Sequence, residues 1–378
     1  MASVAKIPIT NVFMDGDYTG QIFVGPDRKP MNVILDTGSS ALALNGESYA
    51  GEVAAGDLTT NLAQTDTYGD QSTWTGAVIH STVAAGDLHD PVVLPGANVA
   101  IAYDASENMF RKTDGILGLA YAPLDDAFKM PSNTFDHHYT AAQVRGGQQQ
   151  LITPYLTQLQ NAGIVADKLA FYTRRSFVHA GGGGQADPLN NGWMILGGGE
   201  EFTDLYSGTF QSVKVLSDSW YCTNLKAVVV GSYGQVAARV QGPSGMPSNS
   251  IIDSGTNSLS FGVQMLQAIA EKLPAALQEP FVAGLQGQVL ANDSIKLADW
   301  PTLTFVLEGT SGPVRLDVPP ANYWQLDAGE VGKAGLAITP NNDGNAILVL
   351  PLMNGYFTIF DGEADGGRGV VNFAQRKG

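Results

Sequence analysis

Two short stretches carry the residues best suited to chemistry. Val33-Ile34-Leu35-Asp36-Thr37-Gly38-Ser39-Ser40-Ala41-Leu42 aligns without gaps with Ser250-Ile251-Ile252-Asp253-Ser254-Gly255-Thr256-Asn257-Ser258-Leu259. In each copy, aliphatic residues drive a strand into a core, and the chain then turns sharply at an acid, a hydroxyl residue and a glycine. Such a turn presents a carboxylate at a rigid strand end. Gly38 and Gly255 admit a second backbone, and the hydroxyls of Thr37, Ser39, Ser254 and Thr256 can donate hydrogen bonds that hold the acids in one orientation. Two carboxylates brought close together cannot both ionise cheaply, so they share a proton and leave one acid and one base at the same spot. The base can then take a proton from water while the acid donates to a carbonyl oxygen, which is hydrolysis without a metal. Asp36 and Asp253 are the candidate catalytic pair.

Other constellations are weaker. Asp136-His137-His138, with His80, His89 or His179, lacks the His-Glu-x-x-His spacing of a metal helix, and adjacent histidines point apart, so no metal site or other cofactor is expected. Cys222 is the single cysteine, which excludes an intramolecular disulfide, and no His-paired motif accompanies it, so it reads as a buried thiol. No Gly-x-Ser-x-Gly elbow occurs. The run Gly181–Gly184 is not followed by a helical pattern, so it reads as a flexible surface loop before the strand Trp193–Gly197 rather than a phosphate cradle.

The elements that must position the pair are mostly strands. Apolar segments are short and rich in β-branched and aromatic residues, and 45 glycines and 19 prolines supply many turns. Ile7 to Leu44 reads as strands separated by Asp15-Gly16-Asp17, Gly25-Pro26-Asp27 and the first acidic turn. Thr65 to Val83 reads as a hairpin with a projecting tip. Helices are expected over Gln148–Gly163, Val263–Leu273 and Pro274–Leu285. The near-repeat implies two related lobes, 1–203 and 204–378, in a mainly β, bilobal chain with a central cleft.

These motifs resemble the pepsin family of aspartic peptidases over nearly the whole chain. Asp15-Gly16-Asp17-Tyr18-Thr19-Gly20-Gln21-Ile22 is similar to the family's first hairpin, and Thr67-Tyr68-Gly69-Asp70 to the tip of its flap. Asp114-Gly115-Ile116-Leu117-Gly118-Leu119-Ala120-Tyr121 is similar to the strand behind the first aspartate, Ile195-Leu196-Gly197-Gly198 to the strand near the lobe junction, and Tyr356–Asp361 to the penultimate strand. The resemblance implies that Asp36 and Asp253 form the dyad and share one proton, as that family's dyad does. It implies that Thr37 and Ser254 interlock the two loops, that Ser39 and Thr256 brace the outer carboxylate oxygens, and that Gly38 and Gly255 approach substrate. Tyr68, Gly69 and Asp70 would close over a bound peptide, and Ile34 and Ile116 would line the pocket beside the scissile bond.

The chain also departs from the family pattern. Ala43 stands where an indole usually holds the flap tyrosine, and Trp74 is the candidate replacement from within the hairpin. Asp70 is an acid at the tip, where the family more often has a hydroxyl residue. Val349, after Ile347-Leu348, replaces the glycine expected behind the second aspartate.

Composition bounds the partners. A formal net charge of −16 repels nucleic acid and anionic membranes, and an acidic surface suits mild acid. No signal peptide is visible from Met1 onward, and no apolar run reaches membrane-spanning length. In character the chain most resembles prokaryotic homologues lacking propeptide and disulfides, implying a cytoplasmic monomer. The expected activity is endopeptidase cleavage of peptides or unfolded proteins at acidic pH beside large apolar residues. The alternative is a catalytically silent peptide-binding or inhibitor protein on the same fold.

Overall fold

The computed structural model describes residues 2–14, 16–49, 56–239, 248–342 and 344–378; Met1 and Asp15, named above for the N-terminus and the first hairpin, lie outside them. Strands dominate, as the short β-branched segments predict. They fall into two compact units. Unit 1 comprises Met1–Ile9, Tyr18–Asp167 and Ile195–Gly198, and unit 2 comprises Thr10–Asp17, Lys168–Met194 and Gly199–Gly378.

The strand β1 (Ala5–Met14) contributes residues to both units. Unit 1 continues with β2 (Asp17–Val24), β3 (Lys29–Asp36), β4 (Leu42–Asn45), β5 (Leu58–Thr67), β6 (Thr73–Ala85), β7 (Val92–Ala105), β8 (Gly115–Gly118), β9 (Asp126–Lys129) and β10 (Gln148–Leu151). Their order in the sheet is β10-β9-β5-β6-β7-β4-β8-β3-β2. A hairpin joins β2 to β3, with Thr19 opposite Ile34. From there β3 runs parallel to β8, β8 antiparallel to β4, and β4 parallel to β7. Val33, Leu35, Leu44 and Leu117 are fully buried, which explains why β3, β4 and β8 read as continuous apolar runs rather than alternating ones.

The helix expected over Gln148–Gly163 is present only in its second half. Gln148–Leu151 is a strand paired with β9, from Gln148 opposite Lys129 to Leu151 opposite Asp126. Pro154, lacking an N–H, then opens the helix Tyr155–Asn161, whose Tyr155, Leu156 and Leu159 are buried. Leu151 matched the helical spacing but is exposed. The run Gly181–Gly184 is also more ordered than a flexible loop, lying in short 3-10 turns at Ala180–Gly182 and Gly184–Ala186.

In unit 2 the two other expected helices occur at Val263–Lys272 and Ala275–Leu285. Lys168–Tyr172, Tyr356–Asp361, Val370–Arg376 and Tyr206–Lys214 form consecutive antiparallel strands. A second sheet has the order Cys222–Thr223, Ser250–Ile252, Ala346–Leu348, Leu259–Gly262, Ile338–Asn341. Its successive pairings are antiparallel, parallel, antiparallel and parallel. That is the order and sense of β2-β3-β8-β4-β7 in unit 1. The repeat seen in two short motifs therefore extends to the strand framework around each. No helix among the described residues is long and apolar enough to cross a membrane.

Candidate active site

Asp36 is the last residue of β3, and Asp253 follows directly on Ser250–Ile252. Both are buried, at 6% and 9% exposure. Asp36 Oδ1 accepts the Gly38 N–H at 2.7 Å and Oδ2 accepts the Ser39 hydroxyl at 2.5 Å. Asp253 Oδ1 accepts the Gly255 N–H at 2.8 Å and Oδ2 accepts the Thr256 hydroxyl at 3.1 Å. Each carboxylate thus receives the same pair of donors from the same relative positions, and donors aimed at a carboxylate favour its ionised form and fix its plane. Thr37 and Ser254 are buried beside them. Ile34 and Ile116 are cross-strand neighbours, and both are buried.

Behind Asp36 the register places Gly118 of β8. A β-carbon there would lie 2.4 Å from the carbonyl carbon of Ser40, so only glycine fits. Behind Asp253, Ile252 pairs with Leu348, the Asp253 N–H donates to the Leu348 carbonyl at 3.0 Å, and the next position is Val349, fully buried. The ladders beside the two positions also differ. In unit 1, β4 pairs with β8 at Leu42–Leu117, Ala43–Ile116 and Leu44–Gly115, whereas in unit 2 the corresponding strands pair only at Ser260–Ile347. The side chain that Gly118 excludes is present at Val349, and the two strands meet over a shorter length.

Over Asp36 stands the hairpin of β5 and β6, paired to Thr67 opposite Thr73. At its tip the Tyr68 N–H donates to the Ser72 carbonyl at 2.9 Å, and Gln71 adopts the left-handed region at φ 69. Asp70 Oδ1 accepts both the Ser72 N–H at 2.9 Å and the Ser72 hydroxyl at 2.6 Å, so this acid closes its own turn. Gly69 is exposed, with open space where a β-carbon would sit. The Trp74 indole N–H donates to the Tyr68 hydroxyl at 3.4 Å, and Trp74 itself is 1% exposed. Burial, then the charges of Asp66 and Asp36, push the Tyr68 hydroxyl far above the ordinary tyrosine range, against smaller opposing contributions from Trp74 and Ser39, so it remains a neutral phenol. Ala43 is fully buried between β7 and β8, and the indole bonded to Tyr68 is that of Trp74 in β6.

Two residues of this region carry no motif. Gln64 of β5 donates to Asp125 at 2.6 Å, and both are buried. Their separation of 61 positions hides the pair from any local pattern. Among the described residues no group of three or more His, Cys, Asp or Glu is arranged to hold a metal ion. His138 stacks on Tyr103, His137 meets the edge of Tyr139, and His179 lies between Asp187 and Asp327. Cys222 is buried, and burial raises its thiol above the ordinary range.

Comparison with known proteins identifies the family. The family model described as eukaryotic aspartyl protease matches residues 17–375. Gastricsin of Suncus murinus is 24% identical over 375 residues, covering 95% of this chain and 82% of its own length. Pepsin-2B of Gadus morhua is 24% identical over 364 residues, covering 92% of this chain and 93% of its own. Pepsin A of Bos taurus is 23% identical over 370 residues, covering 95% and 84%. With a match spanning both aspartate motifs and the strands that carry them, the chain belongs to the eukaryotic aspartyl protease family.

Proposed function

We propose that this protein is an endopeptidase in which Asp36 and Asp253 act as one catalytic pair. The observation that carries the reading is the matched bracing: the same backbone and hydroxyl donors fix each carboxylate, on the same strand framework. In this reading one carboxylate takes a proton from a water, the water attacks the peptide carbonyl, and the other acid donates to the carbonyl oxygen. The proton taken from the water then passes to the amine as the C–N bond breaks, the second carboxylate takes back a proton from a hydroxyl of the tetrahedral carbon, and the pair returns to its shared-proton state. The two titrate as a unit, so neither aspartate owns the proton.

Thr37 and Ser254 hold the two turns, and Gly38 and Gly255 leave room for the substrate backbone. Tyr68 and Gly69 cover the substrate as the flap closes, Gly69 offering an unhindered backbone for strand-like pairing. Asp70 shapes the tip through Ser72. Ile34 and Ile116 favour large apolar side chains beside the cut, and the shared proton favours acidic pH.

The test is cleavage of a denatured protein across acid to neutral pH by the native chain, Asp36→Asn and Asp253→Asn, each shown to fold. Loss in both variants of at least about a hundredfold supports the pair. A folded native chain that cuts nothing at any pH overturns it in favour of a silent binding protein. Cleavage beside small or charged residues refutes the specificity alone.

A further inference from the structure

The flap strand β5 is held on both faces at its middle. Ala63 and Gln64 are adjacent, so their side chains point to opposite faces, and both are buried. Ala63 packs into an apolar cluster with Met130, Tyr139, Val144 and Phe128. Gln64 meets polar groups: its Nε2 donates to Asp125 Oδ1 at 2.6 Å and to the Asp126 carbonyl at 3.1 Å. Asp125 closes the 3-10 turn Ala122–Leu124 just before β9 and is only 2% exposed.

The charged neighbours of Asp125 are themselves acids. Asp66 lies two residues beyond Gln64 on the same face of β5, and Asp126 begins β9. Of the cations on the neighbouring elements, Lys129 ends β9 opposite Leu62, and Arg145 bonds Thr67 and acts on Asp66. No ion pair reaches Asp125 among the described residues. A carboxylate formed here is buried without a counter-ion and faces two like charges, and each circumstance drives it toward water.

We infer that Asp125 is a proton-operated latch on the flap: as a neutral acid it stays inside, tied to Gln64 and holding β5 down, and as a carboxylate it moves outward and releases β5. Tyr68 follows Gln64 on the same strand and tip, so a β5 freed at Gln64 no longer holds Tyr68 beside Asp36. Burial first, with Asp66 and Asp126 adding and the Gln64 amide opposing, pushes the Asp125 carboxyl up to about 7. The latch is therefore closed in acid and opens as the medium approaches neutrality. As regulation of cleavage this rests on the proposed peptidase reading, whereas the proton-dependent loosening of β5 does not.

The test is hydrogen exchange of the full chain from about pH 5 to about pH 8, corrected for intrinsic exchange chemistry, with β7 as an internal reference. Amides of residues 62–68 are expected to lose about tenfold in protection across that range in the native protein and to keep it in Asp125→Asn, whose side chain stays neutral. Gln64→Leu is expected to show the loosened state already in acid. Equal protection of residues 62–68 at both ends of the range, a loss that persists in Asp125→Asn, or a native-like response in Gln64→Leu each overturn the latch. Native protein that cleaves nothing yet shows the exchange switch, with Asp125→Asn lacking it, removes the peptidase reading and leaves the latch standing.

Discussion

Tyr68 and Trp74 are joined within one hairpin, the indole N–H of β6 donating to the phenol at the tip across 3.4 Å. The partner of the tip tyrosine therefore belongs to the same hairpin, whereas an indole at position 43 would be fixed to β4, a central strand of unit 1.

Trp74→Phe keeps the buried ring and removes the donor. The bond is long, so its loss is expected to remove about 1 kcal/mol, or roughly fivefold in kcat/KM. Tyr68→Phe is expected to match it, and the double variant to be no worse than either single one, because both remove the same bond. Additive losses in steady-state kinetics contradict the pairing.

Ser39 approaches Asp36 more closely than Thr256 approaches Asp253, at 2.5 Å against 3.1 Å. Removing a donor from a carboxylate disfavours its ionised form. Ser39→Ala and Thr256→Ala are both expected to move the acidic limb of the kcat/KM profile to higher pH, Ser39→Ala by more. Each lowers activity by about tenfold or more, as befits a bond to a charged group. The pH–rate profiles of the two variants decide the order.

Asp125 also links folding to pH. Unfolded, it releases its proton at the ordinary value of 3.8; folded, it holds the proton up to about 7. Between those values the folded state binds more protons than the unfolded state. Its contribution to stability therefore falls as pH rises through that window, and the loss persists above it. Asp125→Asn is expected to flatten this part of the stability curve, measured as urea midpoints from about pH 4 to about pH 8.

Gly118 and Val349 occupy equivalent places, and neither accepts the other's residue. Gly118→Val forces a side chain onto the Ser40 backbone and is expected to prevent unit 1 from folding. Val349→Gly empties a fully buried site and loosens the backbone, for a loss of about 2–4 kcal/mol. Thermal denaturation of the two variants checks both.

The turns at Asp36 and Asp253, the hairpin of β5 and β6 and both helices of unit 2 were legible because each rests on local signals: an acid-hydroxyl-glycine turn, hairpin punctuation, or helical spacing bounded by Pro274. What was not legible depended on distant partners. Gln148–Leu151 forms a strand because β9 lies beside it, and its own spacing suggested a helix. The framework shared by the two sheets was visible only at its motifs, since Gly115-Ile116-Leu117-Gly118 and Ala346-Ile347-Leu348-Val349 agree in their middle residues and differ at both ends. Trp74 was a candidate on proximity in sequence, but its bond to Tyr68 depends on the twist and register of the hairpin. Asp125 and Gln64 stand in segments without any repeated or patterned feature, and only the fold brings them together.

The parallel pairing behind each aspartate has a consequence for the order of events in folding. Asp36 is seated against Gly118, and Asp253 takes its backbone partner from Leu348, so each depends on a segment far along the chain. Parallel contacts of this kind close long loops and form late. Until its own partner segment has docked, each acid lacks its seat. The fold acts as its own timer, withholding each acid's seat until its long-range strand has docked.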